Sequence, residues 1–237
     1  MRVAVVTGAS SGIGAALCRA LRKDGWHVVG LSRSEAPDAD EHEPCDVGDR
    51  AAVDSAAARV IERHPRIDLL VNNAGIAGRY TYLTAPPEAV EAVIRTNYLG
   101  SVWCLRAFLP GLGQGSHLVN VVSIAGLFAV GPYSASKHAQ LAFSRSVAVE
   151  LSGRRISVHT VNPGLIETPG FPQHDRVKYG LQRFVASPEL VASRILDAVA
   201  HDRREIIVPR WYRPVAWAQA LTPGLVARAQ GLVTWRR

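Results

Sequence analysis

Five apolar runs recur along this chain, VAVVTG, WHVVGLSR, IDLLVNNAG, HLVNVVS and RISVHTVNPG, and alanine-rich stretches of helical period such as GAALCRALRKDG and AAVDSAAARVIERH lie between them. Runs that are apolar on both faces suit strands covered from two sides. Strand-helix-strand order makes their sheet parallel. The expected fold is therefore α/β, with helices on both faces of a parallel sheet and chemistry at the carboxyl ends of the strands. At 237 residues the chain can bury one sizeable core, so a second domain is not required.

Charge and cysteine content narrow the function classes. The net charge of +7 is mostly a property of residues 201–237, which hold seven arginines against Asp202 and Glu205. No nucleic-acid-binding motif accompanies it, so a solvated basic face is expected and no nucleic-acid partner. Cys18, Cys45 and Cys104 are odd in number and widely spaced. They predict neither a disulfide framework nor a zinc site, and they fit a reducing cytoplasm as small buried hydrophobes. No histidine stands at metal-ligand spacing from another ligand, and no metal is assigned. The start, MRVAVVTG, predicts no signal peptide or spanning helix.

The first strand ends in TGASSGIG, residues 7–14. Glycines at 8, 12 and 14 allow a tight turn, close approach of a pyrophosphate and a helix whose first amides face the anion. About 20 residues further on comes the position that reads the adenosine ribose. An acid there favours NAD. This chain has GLSRS instead: Ser32 is neutral and Arg33 offers a planar fork to a 2′-phosphate. NADP is expected over NAD. In CDVGD, Asp46 falls where a third strand ends, with its carboxylate free to accept from an adenine amino group.

Thr7-Gly8 with Gly12-Ile13-Gly14, Asn72-Asn73-Ala74-Gly75, Tyr133 with Lys137, and Pro163-Gly164 stand in the order and approximate spacing of the short-chain dehydrogenase/reductase family, which residues 1–200 resemble. The resemblance implies a single-domain, doubly wound Rossmann fold with a seven-stranded sheet in the order 3-2-1-4-5-6-7. It implies NAD(P)-dependent carbonyl reduction or alcohol oxidation. It assigns Tyr133 as acid/base, Lys137 as its modulator, Ser123 as substrate orienter and Asn97 as proton-relay residue. Cofactor contacts fall on Gly8, Ser10, Ser11, Gly12, Ile13, Gly14, Arg33, Asp46, Val47, Asn73, Ala74, Gly75, Tyr133, Lys137, Pro163, Gly164, Ile166 and Thr168, with Ile166 and Thr168 holding the carboxamide. The chain departs from the family at one point: Ser123 precedes Tyr133 by ten positions instead of the usual thirteen, which predicts a shorter pocket wall.

Tyr133 and Lys137 at i and i+4 share one helix face. A phenol of ordinary pKa about 10 is a poor base near neutrality, and a neighbouring cation lowers that value. An ammonium also reaches ribose hydroxyls in a crowded site where the rigid arginine fork fits badly. That accounts for a lysine here, in a chain whose only other lysines are Lys23 and Lys178.

Ile76, Ile124, Phe128, Leu165 and Phe171 are expected to line a pocket for an apolar carbonyl or alcohol, with a lid at about 169–186. The Rossmann domain is expected over 1–210. Apolar positions near 98–110 and 135–151 exceed one core-facing stripe, and the resembling family builds its dimers there, so a homodimer or homotetramer is expected. Residues 211–237 form an extension. Thr222-Pro223 reads as a helix N-cap, and Trp217, Leu221, Leu225, Ala229 and Leu232 recur at helical spacing. That stripe packs either on the protein itself or a partner subunit, or on an anionic lipid surface. The second function class, a non-catalytic nucleotide-binding regulator on the same fold, would not need the acid/base set.

Overall fold

β1 (Arg2–Thr7) shows in six residues how the sheet is covered: Val3 and Val5 point into one core, Ala4 and Val6 into the other. The computed structural model describes residues 1–77, 81–127, 131–170, 172–173, 182–226 and 228. β2 (Trp26–Ser32), β3 (Glu41–Pro44), β4 (Ile67–Asn72), β5 (Leu112–Val121), β6 (Ser157–Pro163) and β7 (Glu205–Val208) complete a seven-stranded sheet in the order β3-β2-β1-β4-β5-β6-β7. Every neighbouring pair is parallel. The order is the expected one.

Helices α1 (Gly12–Lys23) and α6 (Pro188–Ala200) cover one face with Leu17, Leu21, Val191 and Ile195. On the other face α2 (Arg50–Arg63), α4 (Gly100–Phe108) and α5 (Gly131–Glu150) contribute Val53, Val60, Leu105, Phe108 and Val147. Several of these side chains are fully enclosed, and burial of such a side chain contributes about 1.5–3 kcal/mol. α3 (Pro87–Ile94) runs through a widened π turn at Arg95–Leu99 into α4. The chain leaves β1 toward β2 and leaves β4 toward β5, so the connections diverge between β1 and β4 and open a crevice beyond their carboxyl ends.

The extension begins with a 3₁₀ turn at Arg210–Tyr212 and continues as α7 (Arg213–Leu221). A further helical turn follows at 223–226, but Thr222 does not cap it as expected. Its hydroxyl donates back to the Ala218 carbonyl at 2.8 Å, closing the preceding helix instead. Among the described residues the stripe is uncovered: Trp217, Leu221 and Leu225 are 64%, 82% and 63% exposed. Ala229 and Leu232 lie outside the described residues.

Candidate active site

Thr7 ties the two strands that flank the crevice. Its hydroxyl donates to the Val71 carbonyl at 3.1 Å and accepts the amides of Asn73 and Ala74 at 2.9 and 3.0 Å. The Asn73 side-chain Nδ2 donates to the Thr7 carbonyl at 2.9 Å, locking the loop after β4 onto the end of β1. The glycine turn sits in this corner. Gly8 and Gly12 adopt φ of +67° and +56°, and a Cβ on Gly14 would stand 2.1 Å from the Gly8 carbonyl oxygen. At the start of α1, Ser11 makes no side-chain cap, Ser10 precedes it, and the first turn through Ile13 carries no acid. Its amides are thus left for an anion, and this donor set fits a dinucleotide pyrophosphate. Thr168 closes the far side, its side chain 3.1 Å from where a Gly12 Cβ would lie. Ile166, buried beside it, bridges in parallel to Ala186.

Ser32 is buried and its hydroxyl donates to the Ser34 carbonyl at 2.6 Å, whereas Arg33 has a side chain 71% exposed. One oxygen of Asp46 accepts the Gly48 amide at 2.8 Å; because the ends of β2 and β3 are neighbours, the other lies 3.9 Å from Arg33, which is beyond hydrogen-bond distance and leaves it an acceptor. The following Val47 is buried, its carbonyl pressed against Gly100.

Tyr133 and Lys137 stand one turn apart near the start of α5. The Ser123 hydroxyl donates to the Pro163 carbonyl at 3.4 Å and accepts the Ala125 amide at 3.1 Å. Desolvation raises the Tyr133 phenol above its ordinary value, and the Ser123 hydroxyl, still within its influence despite the shortened segment, offsets part of that rise. Lys137 is only 3% exposed, and its ammonium donates to the Val121 carbonyl at 3.0 Å and to Gln140 Oε1 at 2.8 Å. Desolvation pushes it down to about 7. Gly75 faces this ammonium, with its absent Cβ position 3.6 Å from Nζ.

Asn97 lies in the π turn, fully buried. Its side chain accepts the Ile76 amide at 2.8 Å and donates to the Ile76 carbonyl and to Ser136 Oγ, both at 3.0 Å. Ser136 in turn donates to the Tyr133 carbonyl at 2.7 Å. The extra residue of a π turn thus aims Asn97 at both the loop after β4 and the first turn of α5.

Two participants were not anticipated. Gln140 donates from Nε2 to Ser101 Oγ at 2.8 Å, and Ser101 donates to the Asn97 carbonyl at 3.4 Å, so a buried chain of hydrogen bonds links Lys137 to the Asn97 backbone. Gln140 is three positions after Lys137 and shares its face, a signal that was present in the spacing. Tyr212 had no local signal. Its ring occupies the place a Cβ on Gly164 would take, 2.1 Å from ring carbon Cε2. Its hydroxyl accepts the Leu165 amide at 3.4 Å and donates to the Phe184 carbonyl at 3.3 Å. Of the expected pocket wall, Ile76, Ile124 and Leu165 are partly buried. Phe128, Phe171 and half of the lid lie outside the described residues.

Away from the site, the fold gathers His27, Glu41 and His64, which no sequence spacing suggested. Both imidazoles meet one oxygen of Glu41, at 2.7 and 2.8 Å, and Arg63 holds the other at 3.0 Å. The three cysteines are free and buried, and burial raises each thiol.

Residues 2–176 match the sequence profile of the short chain dehydrogenase family. The chain is 30% identical to the bovine dehydrogenase/reductase SDR family member 7B, over 95% of this chain and 79% of that one. Among solved structures, a short chain dehydrogenase from Burkholderia cenocepacia in complex with NADP superposes with a TM-score of 0.79 at 27% identity, over 87% of this chain and 96% of that one. A short chain dehydrogenase/reductase from Burkholderia phymatum in complex with NAD gives 0.83 at 24% identity, over 94% of each, a likeness of fold.

Proposed function

The chain belongs to the short-chain dehydrogenase family and is an NAD(P)-dependent oxidoreductase acting on CH–OH groups; we propose that it is an NADP(H)-dependent reductase of apolar ketones or aldehydes, acting in reverse on secondary alcohols. The observation that carries this reading is the enclosed Lys137 ammonium one helical turn from Tyr133, with the Ser123 hydroxyl acting on the same phenol. A module that only binds nucleotide has no use for that set. A bound nicotinamide supplies the hydride. The protein does the rest: Ser123 donates to the carbonyl oxygen and orients it, and Tyr133, kept protonated by burial, delivers its proton to that oxygen as the carbon is reduced. Lys137 stabilises the phenolate left behind, and Asn97 holds the relay by which it is reprotonated.

Arg33 supports NADP over NAD, since no acid ends β2 and its guanidinium, just past that strand, is exposed. Ile76, Ile124 and Leu165 support an apolar substrate. Partly covered Trp103 and Phe143, with Val149 75% exposed, support assembly through α4 and α5 into a homodimer or homotetramer. Free buried thiols suit the cytoplasm, and among the described residues no helix is long and apolar enough to cross a membrane. The test is a panel of apolar and charged ketones incubated with NADPH or NADH. Faster NADPH consumption with the apolar members supports the proposal. No consumption with any carbonyl, or a preference for NADH, refutes it.

A further inference from the structure

The seventh strand leaves a free edge, and along it runs a groove of about 270 Å³ walled by Leu190, Ile206, Ile207 and Trp211. Arg194, Arg210 and Arg213 line the same groove, together with Asp197, whose carboxylate is taken up by His201 at 3.1 Å and Arg203 at 3.4 Å. Among the described residues these three guanidiniums make no ion pair or hydrogen bond, in a protein whose other surface arginines are commonly paired, as Arg19, Arg22, Arg59, Arg63 and Arg145 are. Next to the groove α7 begins. Trp217 and Leu221 at i and i+4 share one face of it, and Leu225 follows in the next turn, all three exposed.

We propose that this extension and its groove form a docking surface for an anionic phospholipid bilayer, set at the mouth of the carbonyl site. The groove receives phosphate-bearing headgroups on its arginines, and Trp217, Leu221 and Leu225 enter the acyl boundary, the division of labour of an interfacial helix. A second copy of the chain suits this face poorly. A twofold contact would set the same arginine-rich patch against itself, where like charges repel. The surface is also tied to the reaction centre. Tyr212, between groove and helix, fills the space over Gly164 and hydrogen-bonds Leu165 and Phe184, while α7 packs on the Ile124–Leu127 turn that follows Ser123. A bilayer held there presents lipid-dissolved carbonyls to the pocket. This last step rests on the reductase reading; the lipid contact does not.

The test uses the full chain and vesicles of phosphatidylcholine alone or equimolar with phosphatidylserine. The intact protein is expected to sediment with the mixed vesicles and to stay in solution with the neutral ones. Two variants, Trp217→Ser/Leu221→Ser/Leu225→Ser and Arg194→Gln/Arg210→Gln/Arg213→Gln, are each expected to lose at least about tenfold in bound fraction, with turnover of a water-soluble ketone unchanged. Absence of sedimentation by the intact protein overturns the proposal, and so does equal sedimentation of the variants. A change of mass in gel filtration for the serine variant, with lipid binding retained, overturns it by making the stripe a subunit contact. Lipid binding without turnover of any carbonyl supports the surface and refutes the reductase.

Discussion

Replacing Gln140 by leucine tests whether the buried chain from Lys137 to Asn97 governs the reaction. Lys137 is enclosed, and two acceptors, the Val121 carbonyl and Gln140 Oε1, offset the desolvation of its ammonium. A hydrogen bond to a charged group contributes about 1.5–3 kcal/mol, and one pKa unit corresponds to roughly 1.4 kcal/mol. Losing the Gln140 acceptor should therefore lower the Lys137 pKa by about 1–2 units, from a value already pushed down to about 7. The sign follows from which form is active. The ammonium is the competent form, so activity is lost as pH rises through the lysine pKa, and a lower pKa brings that loss to lower pH. The expected result is an alkaline limb of kcat/KM moved down by about 1–2 units, with the acid-side plateau within a few-fold of wild type. Gln140→Glu places an anion beside the ammonium and should move the limb the other way. An alkaline limb unmoved in both variants would refute the coupling, and a uniform fall in kcat at every pH would mean that Gln140 serves only packing.

Tyr133→Phe should lower turnover by at least about 100-fold, because the forming alkoxide loses its proton donor, while NADPH binding followed by fluorescence stays near wild type. Arg33→Asp should weaken NADPH by about 1.5–3 kcal/mol and narrow or reverse the preference over NADH in paired titrations; an unchanged ratio of dissociation constants removes Arg33 from the specificity. For Glu41, burial alone would raise the carboxyl, but hydrogen bonds from His27, His64 and Arg63 outweigh it and hold the group at about 2, below its ordinary 4.5. Its stabilisation is therefore present above pH 4.5 and lost as pH falls toward 2. Thermal unfolding of Glu41→Gln at neutral pH should show a loss on the order of 1–2 kcal/mol, discounted for partial exposure, and the gap to wild type should close on acidification.

What could be read from the chain was what lies within a single element or a single turn. The alternation of apolar runs with helical segments determined a parallel sheet, because runs apolar on both faces cannot sit at a solvated surface. The glycines of TGASSGIG announced a turn that admits no side chains, and Gly14 has no room for even a methyl group. Helical period placed Tyr133 and Lys137 on one face, and the resemblance carried by the accompanying motifs gave the pair its role.

The tertiary structure decided whatever depends on which ends of which strands become neighbours. The pairing of β2 with β3 brings Asp46 within 3.9 Å of Arg33, a neighbourhood that the spacing of the two residues along the chain does not record. His27, Glu41 and His64 meet because two adjacent strands and the end of α2 converge there, and no pattern along the chain records it. Tyr212 comes to rest on Gly164 because β7 lies beside β6, so the residues just after one strand fall over the turn that ends the other. The stripe on α7 had equal periodicity whether it faced protein or solvent. Periodicity specifies that a helix has an apolar face, and only the arrangement of the other elements determines whether any of them is left to cover it.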